Sequence, residues 1–152
     1  MTSTPQNMRQ ALKLWPTLEM PDRSTLPGRW EASFVKPLRV IAPAGLGLIG
    51  LPRWYGKDLT AEGGINLLRT PSGLEQVMPM GLSEDQSWAD GAPTLVGSYA
   101  SGVRFPWRWV RDEFRTLDAD TLLGLTFTDA PGLRAVGLPF LLERRETPAE
   151  NL

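Results

Sequence analysis

The chain contains neither histidine nor cysteine, so any chemistry falls to carboxylates, tyrosine, lysine, arginine and hydroxyls. That composition removes the commonest general base and metal ligand, together with disulfides, thiolate nucleophiles and cysteine-held zinc or iron–sulfur clusters. The segment with most to offer is Trp54-Tyr55-Gly56-Lys57-Asp58-Leu59. On a strand, alternate side chains share a face. Asp58 then lies with Trp54 and Gly56 as the candidate inward carboxylate, and Lys57 points outward. A slip of one residue exchanges the two. Asp112 and Glu113 are adjacent, fall on opposite faces and make a poor acid–base pair. Asp118 and Asp120 flank Ala119 in a turn, where aspartate serves the backbone. Tyr99 is the second candidate acid–base group, should burial shift its pKa. No Gly-x-Ser-x-Gly or P-loop motif occurs, and no nucleophile constellation, metal centre or cofactor is expected.

Other residues suit binding. The block Phe105-Pro106-Trp107-Arg108-Trp109-Val110-Arg111 interleaves aromatics with arginines. Such a block stacks on flat ligands or nucleic acid, or it packs an aromatic face inward beneath arginine stems. With 16 basic and 17 acidic residues the net charge is −1. There is no basic excess to neutralise phosphates, and nucleic acid is not an expected partner. On a strand over residues 64–70, Ile65, Leu67 and Arg69 share one face and Asn66, Leu68 and Thr70 the other. Over residues 74–80, Leu74, Gln76, Met78 and Met80 fall together. That mixture suits an apolar ligand with one polar group, since methionine adapts to varied shapes. Ordinary core filling explains the same residues more simply.

The elements that must carry these residues are short strands. From Gly28 onward, apolar runs alternate with Gly, Pro and Asp punctuation; the chain has 15 glycines and 14 prolines, natural for an all-β protein. The pattern predicts strands over 29–36, 53–59, 64–70, 74–80, 94–100, 111–117, 121–128 and 138–145. Pro71-Ser72-Gly73 and Asp118-Ala119-Asp120 predict tight hairpin turns. In the first strand Trp30, Ala32 and Phe34 share one face, while Arg29, Glu31 and Ser33 take the other. Residues 8–15 predict a short helix, with Met8, Ala11, Leu12 and Trp15 at helical spacing and Pro16 as the stop. The 152 residues suit one domain with a real core. The apolar run 38–51 carries Arg39, Pro43 and three glycines. It is shorter than the roughly 20 residues of a membrane-spanning helix. It predicts either a lid over an open barrel end, presenting Leu46, Leu48, Ile49 and Leu51, or a plug that completes the core. Residues 1–10 are polar, so no secretory signal is expected and a cytoplasmic location is.

With these residues in view, the chain resembles the GXWXXXF-type proteins, a bacterial group of lipocalin-like (calycin) β-barrels. Gly28-Arg29-Trp30-Glu31-Ala32-Ser33-Phe34 fits the naming motif in full. Trp54-Tyr55-Gly56-Lys57-Asp58-Leu59 is similar to the family's aromatic-Gly-Lys strand, with Leu59 where an aromatic is more usual. Arg111, Thr121-Leu122-Leu123-Gly124 and Phe140-Leu141-Leu142-Glu143-Arg144-Arg145 resemble the closing hairpin and last strand. The resemblance implies an antiparallel barrel of about eight to ten strands around a cavity. It further implies that the first-strand Trp30 closes the base, with Arg144 or Arg145 packed over it. Some related barrels bind haem through a histidine; with none here, that function does not carry over. The broader family implies binding of small apolar molecules.

The expected organisation is an N-terminal arm with a short helix (1–27), a lipocalin-like barrel (28–146) and a C-terminal tail (147–152). The expected function is binding of a small hydrophobic or amphipathic molecule in the barrel. Trp30, Phe34, Leu48, Trp54, Met78, Tyr99 and Trp107 would form the apolar lining, and Asn66 or Arg69 would orient a polar end. An alternative is an isomerase, cyclase or hydratase acting on an apolar substrate through Asp58 and Tyr99. A third reading is an interaction module whose apolar segment touches a membrane surface or a partner. No integral membrane segment is expected, and nothing in the sequence fixes an oligomeric state.

Overall fold

The computed structural model describes residues 4–36, 53–99, 110–128 and 137–145. Eight antiparallel strands follow one another around a closed barrel: β1 (Gly28–Phe34), β2 (Trp54–Leu59), β3 (Gly63–Thr70), β4 (Gly73–Gln86), β5 (Pro93–Tyr99), β6 (Val110–Asp118), β7 (Thr121–Thr128) and β8 (Leu138–Arg144). Each strand pairs with its neighbours in sequence, and β8 closes onto β1 through Trp30–Arg144 to Phe34–Phe140. The predicted strands appear within a residue or two of their ends, except that β4 runs on to Gln86. Both predicted hairpin turns are present. The segment 38–51, with Leu48, and the block around Trp107 lie outside the described residues.

Side-chain alternation follows the register. Trp30, Leu59, Met80, Leu95, Phe114, Leu122, Phe140 and Leu142 fill the interior. The other face of β7 carries Leu123, Leu125 and Phe127, which pack with Leu117, Leu141, Val35, Ala11 and Trp15 in a second cluster. That is why β7 reads as an almost unbroken apolar run: both its faces are covered. The cover is the helix α1 (Met8–Leu14), capped by Asn7, whose side chain accepts the Gln10 N–H at 2.9 Å. A 3-10 turn, Trp15–Thr17, continues it, with Pro16 ending the regular helix. The N-terminal segment is therefore part of the packed body. Arg115 fastens it, donating to the Trp15 carbonyl at 2.9 Å and gripping Asp90 through both terminal nitrogens at 2.6 and 2.9 Å.

One end of the barrel is sealed. The Trp30 indole donates to the Leu26 carbonyl at 2.9 Å. The Arg144 guanidinium lies 4.3 Å from the Trp30 ring centroid and donates to the carbonyls of Pro27 and Thr25. Of the two arginines proposed for this place, Arg144 occupies it, and Arg145 pairs outside with Glu31. At the other end the inward-facing Phe34, Trp54, Leu68, Val77 and Val110 are only partly buried.

Two bulges change the alternation. In β2, Trp54 opposes Leu68 and Gly56 opposes Leu67, so Tyr55 is an inserted residue. Gly56 sits at φ +156°, and a Cβ there would lie 1.9 Å from the Trp30 carbonyl oxygen. In β4, Asn66 opposes Val77 while Ile65 opposes Pro79, which leaves Met78 as the extra residue at φ 54°. Beyond each bulge the strand's two faces are exchanged.

Candidate functional site

Six consecutive strands send one side chain each to a single cluster inside the barrel: Lys57 (β2), Asn66 (β3), Met80 (β4), Tyr99 (β5), Asp112 (β6) and Thr126 (β7). Their placement follows from register. Lys57 faces Asn66, Met80 faces Tyr99 and Asp112 faces Thr126 across their strand pairs. The Lys57 ammonium donates to Asn66 Oδ1 at 2.8 Å and to Tyr99 Oη at 3.3 Å, lies 3.2 Å from Asp112 Oδ2, and meets the Met80 sulfur at 3.7 Å. It also lies 5.6 and 5.8 Å from the Trp54 and Tyr99 ring centroids, adding cation–π attraction. Asn66 donates to Tyr99 Oη at 2.9 Å and to the Met78 carbonyl at 3.0 Å, and accepts the Trp54 indole N–H at 3.1 Å. Thr126 donates to Asp112 Oδ1 at 2.8 Å.

This cluster is deeply enclosed, with the Lys57 side chain 1% exposed and that of Asp112 6%. Burial alone would draw the proton off Lys57. The Tyr99 and Asp112 oxygens around it outweigh that effect, so its pKa stands above the ordinary lysine value. Lys57 is a fixed ammonium and not a nucleophilic amine. Burial pushes the Tyr99 phenol up as well, against the opposing pull of Lys57, so Tyr99 stays a neutral O–H.

Several expectations from sequence are corrected. Asp58 is not the inward carboxylate. It faces outward and holds Arg29 at 2.8 and 3.0 Å. Lys57 takes the interior instead, because the bulge at Tyr55 exchanges the faces of β2. Arg69 lies outside the barrel, paired with Glu31 at 3.1 Å and stacked on Tyr55, so of the two proposed polar anchors only Asn66 is inside. Met78 and Met80 do not share a face with Leu74 and Gln76, because Met78 is the bulge; Leu74 and Gln76 are exposed and Met80 is buried. Trp30, Phe34, Trp54, Asn66 and Tyr99 face the interior as expected, and Met78, although it is the bulge, packs partly buried against the same core. Trp30, however, lines the sealed end, away from Phe34 and Trp54. Of this cluster, the sequence reading gives Thr126 no role, Asp112 only that of a poor acid–base partner, Met80 only a place on a face with Leu74, Gln76 and Met78, and Lys57 only the outward position. The one available signal for Lys57 was the noted sensitivity of its strand to a shift of one residue.

A concavity lies on the outer wall. It is a groove of about 500 Å³ lined chiefly by Met8, Leu12, Trp15, Trp88, Leu125 and Phe127, with Asp90 at its edge. Arg115 already holds both Asp90 oxygens, so the groove offers shape with little polar recognition. Among the described residues no group of three or more acidic side chains converges as a metal site, and no helix is long and apolar enough to cross a membrane.

No known protein family and no curated protein matches this chain. Among solved structures, a crystallised protein from Thermomonospora curvata is similar in fold, with a TM-score of 0.68 at 20% identity over 92% of this chain and 88% of that one. At that identity the likeness establishes the barrel fold and nothing about activity.

Proposed function

We propose that the barrel binds a small, largely apolar molecule at the end bordered by Phe34 and Trp54, with the molecule's polar group directed at the Lys57–Asn66–Tyr99–Asp112 cluster. The observation that carries this reading is a hydrogen-bonded, charged cluster buried in an otherwise apolar interior, beside the partly exposed Phe34 and Trp54. A buried ion pair is seldom the cheapest way to stabilise a core; apolar residues of similar volume often do as well or better. Its presence beside the partly buried Phe34 and Trp54 supports a binding site, which combines apolar walls with a few convergent polar groups. The aromatic wall is already organised, with Trp54 5.7 Å from Phe34 and 5.8 Å from Phe140 between ring centroids.

Binding is favoured over catalysis because the interior lacks an unengaged acid or base among its described residues. Asp58 is outside, Lys57 is held as an ammonium, and Asp112 is shared between Lys57 and Thr126. Native mass spectrometry on freshly purified protein tests the proposal. A copurified small molecule, or one taken up stoichiometrically from a mixture of apolar compounds, is the expected result. A bare mass under every loading condition would overturn it.

A further inference from the structure

We propose that the polar group selected by the interior is a neutral hydrogen-bond donor, a hydroxyl on an apolar body, and that Asp112 receives it. This rests on the reading of the interior as a binding site. The choice follows from which hydrogen-bonding positions are already filled. An ammonium has three N–H bonds, and those of Lys57 are directed at Asn66 Oδ1, Tyr99 Oη and Asp112 Oδ2. Asn66 is filled as well: its oxygen accepts from Lys57 and Trp54, and its nitrogen donates to the Met78 carbonyl and Tyr99 Oη. Neither side chain has a donor left for a ligand carbonyl or carboxylate. Asp112 is different. A carboxylate offers about four acceptor positions, and Lys57 and Thr126 use one each. What the cluster has left is acceptor capacity on Asp112, whose side chain is also slightly more exposed than that of Lys57.

Charge narrows the class further. Lys57 and Asp112 sum to zero. A ligand carboxylate would place a second anion beside Asp112 without a second cation, and a ligand ammonium would do the converse to Lys57. Each would be desolvated without compensation. A hydroxyl donates to the carboxylate without adding charge, and hydrogen bonds to ionised groups are the stronger kind.

Competition against the neutral fluorophore N-phenyl-1-naphthylamine near neutral pH tests this, using 1-octanol, octanoate, octylamine and methyl octanoate as chain-matched competitors. The expected result is displacement by 1-octanol at about tenfold lower concentration than by the other three, the worth of one hydrogen bond. Asp112→Asn, which puts an N–H where an acceptor was, should shrink that advantage and favour methyl octanoate. If this variant does not fold, the native series decides alone. Equal or better competition by octanoate or methyl octanoate would overturn the head-group assignment while leaving interior binding intact. Failure of the fluorophore and of every octyl compound to bind would overturn interior binding itself, and this inference with it.

Discussion

Lys57 and Asp112 illustrate how a pair can be costly in sum and indispensable singly. Removing one partner leaves an uncompensated buried charge, so Lys57→Met is expected to cost about 3–5 kcal/mol. Removing both in Lys57→Met/Asp112→Leu should recover most of that loss, which urea unfolding of the two variants will measure. A double variant no more stable than the single one would mean that the cluster holds the barrel together through its hydrogen bonds. The same residues set the behaviour in alkali. The pKa values of Lys57 and Tyr99 are both raised in the folded chain. Each group therefore contributes stability that is fully present below its unfolded value, about 10 for either type, and is lost as pH rises through the folded value. Unfolding free energy should fall above about pH 10, and Tyr99→Phe should remove the tyrosine's share of that fall. Asp90 acts at the opposite end. The Arg115 hydrogen bonds lower its pKa, so its contribution is present above the ordinary aspartate value and lost as pH drops below it. Asp90→Asn should flatten the acid limb of the stability curve.

At the scale of the element, close fits replace open space. Gly124 on β7 has a virtual Cβ only 2.2 Å from Phe140 Cζ, so the Phe140 ring fills the volume a side chain would need. Gly124→Ala is expected to destabilise by about 1–3 kcal/mol. Gly124→Ala/Phe140→Leu should be less destabilised than the sum of its single variants, as denaturant melts will show. The elements also show what sequence could carry. In β1 the alternation of Trp30, Ala32 and Phe34 against Arg29, Glu31 and Ser33 is uninterrupted, and the reading of inside and outside was right. In β2 and β4 it failed at one residue each. Tyr55 and Met78 are inserted without altering composition or hydrophobicity, and counting by twos passes over them. Asp58 was thereby assigned Lys57's place, and Met78 was grouped with the exposed Leu74 and Gln76. Adjacency to Glu113 makes Asp112 look like a poor acid–base partner in the sequence. The geometry makes that adjacency harmless: Asp112 faces the interior with Thr126, and Glu113 faces outward to Arg111 and the Trp88 N–H.

For the whole molecule, the arm and barrel form one packed body. Trp15 is 1% exposed. Its indole donates to Ser87 at 3.3 Å, and the Arg115 guanidinium lies 4.5 Å from its ring centroid. Trp15→Ala should therefore lower global stability by about 3–5 kcal/mol in a single transition. An unchanged main transition with only early loss of helix would show that the arm is an appendage. The barrel is likewise asymmetric as a whole, sealed by Trp30 and Arg144 at one end and bordered by Phe34 and Trp54 at the other. Its six tryptophans make that asymmetry measurable. The most direct test is an NMR titration of the tryptophan indole and Asn66 side-chain amide resonances with N-phenyl-1-naphthylamine. Shifts concentrated at Trp54 and Asn66, with Trp30, Trp15 and Trp88 unmoved, are the predicted result. Shifts confined to Trp15 and Trp88 would place the ligand in the outer groove and contradict binding inside the barrel.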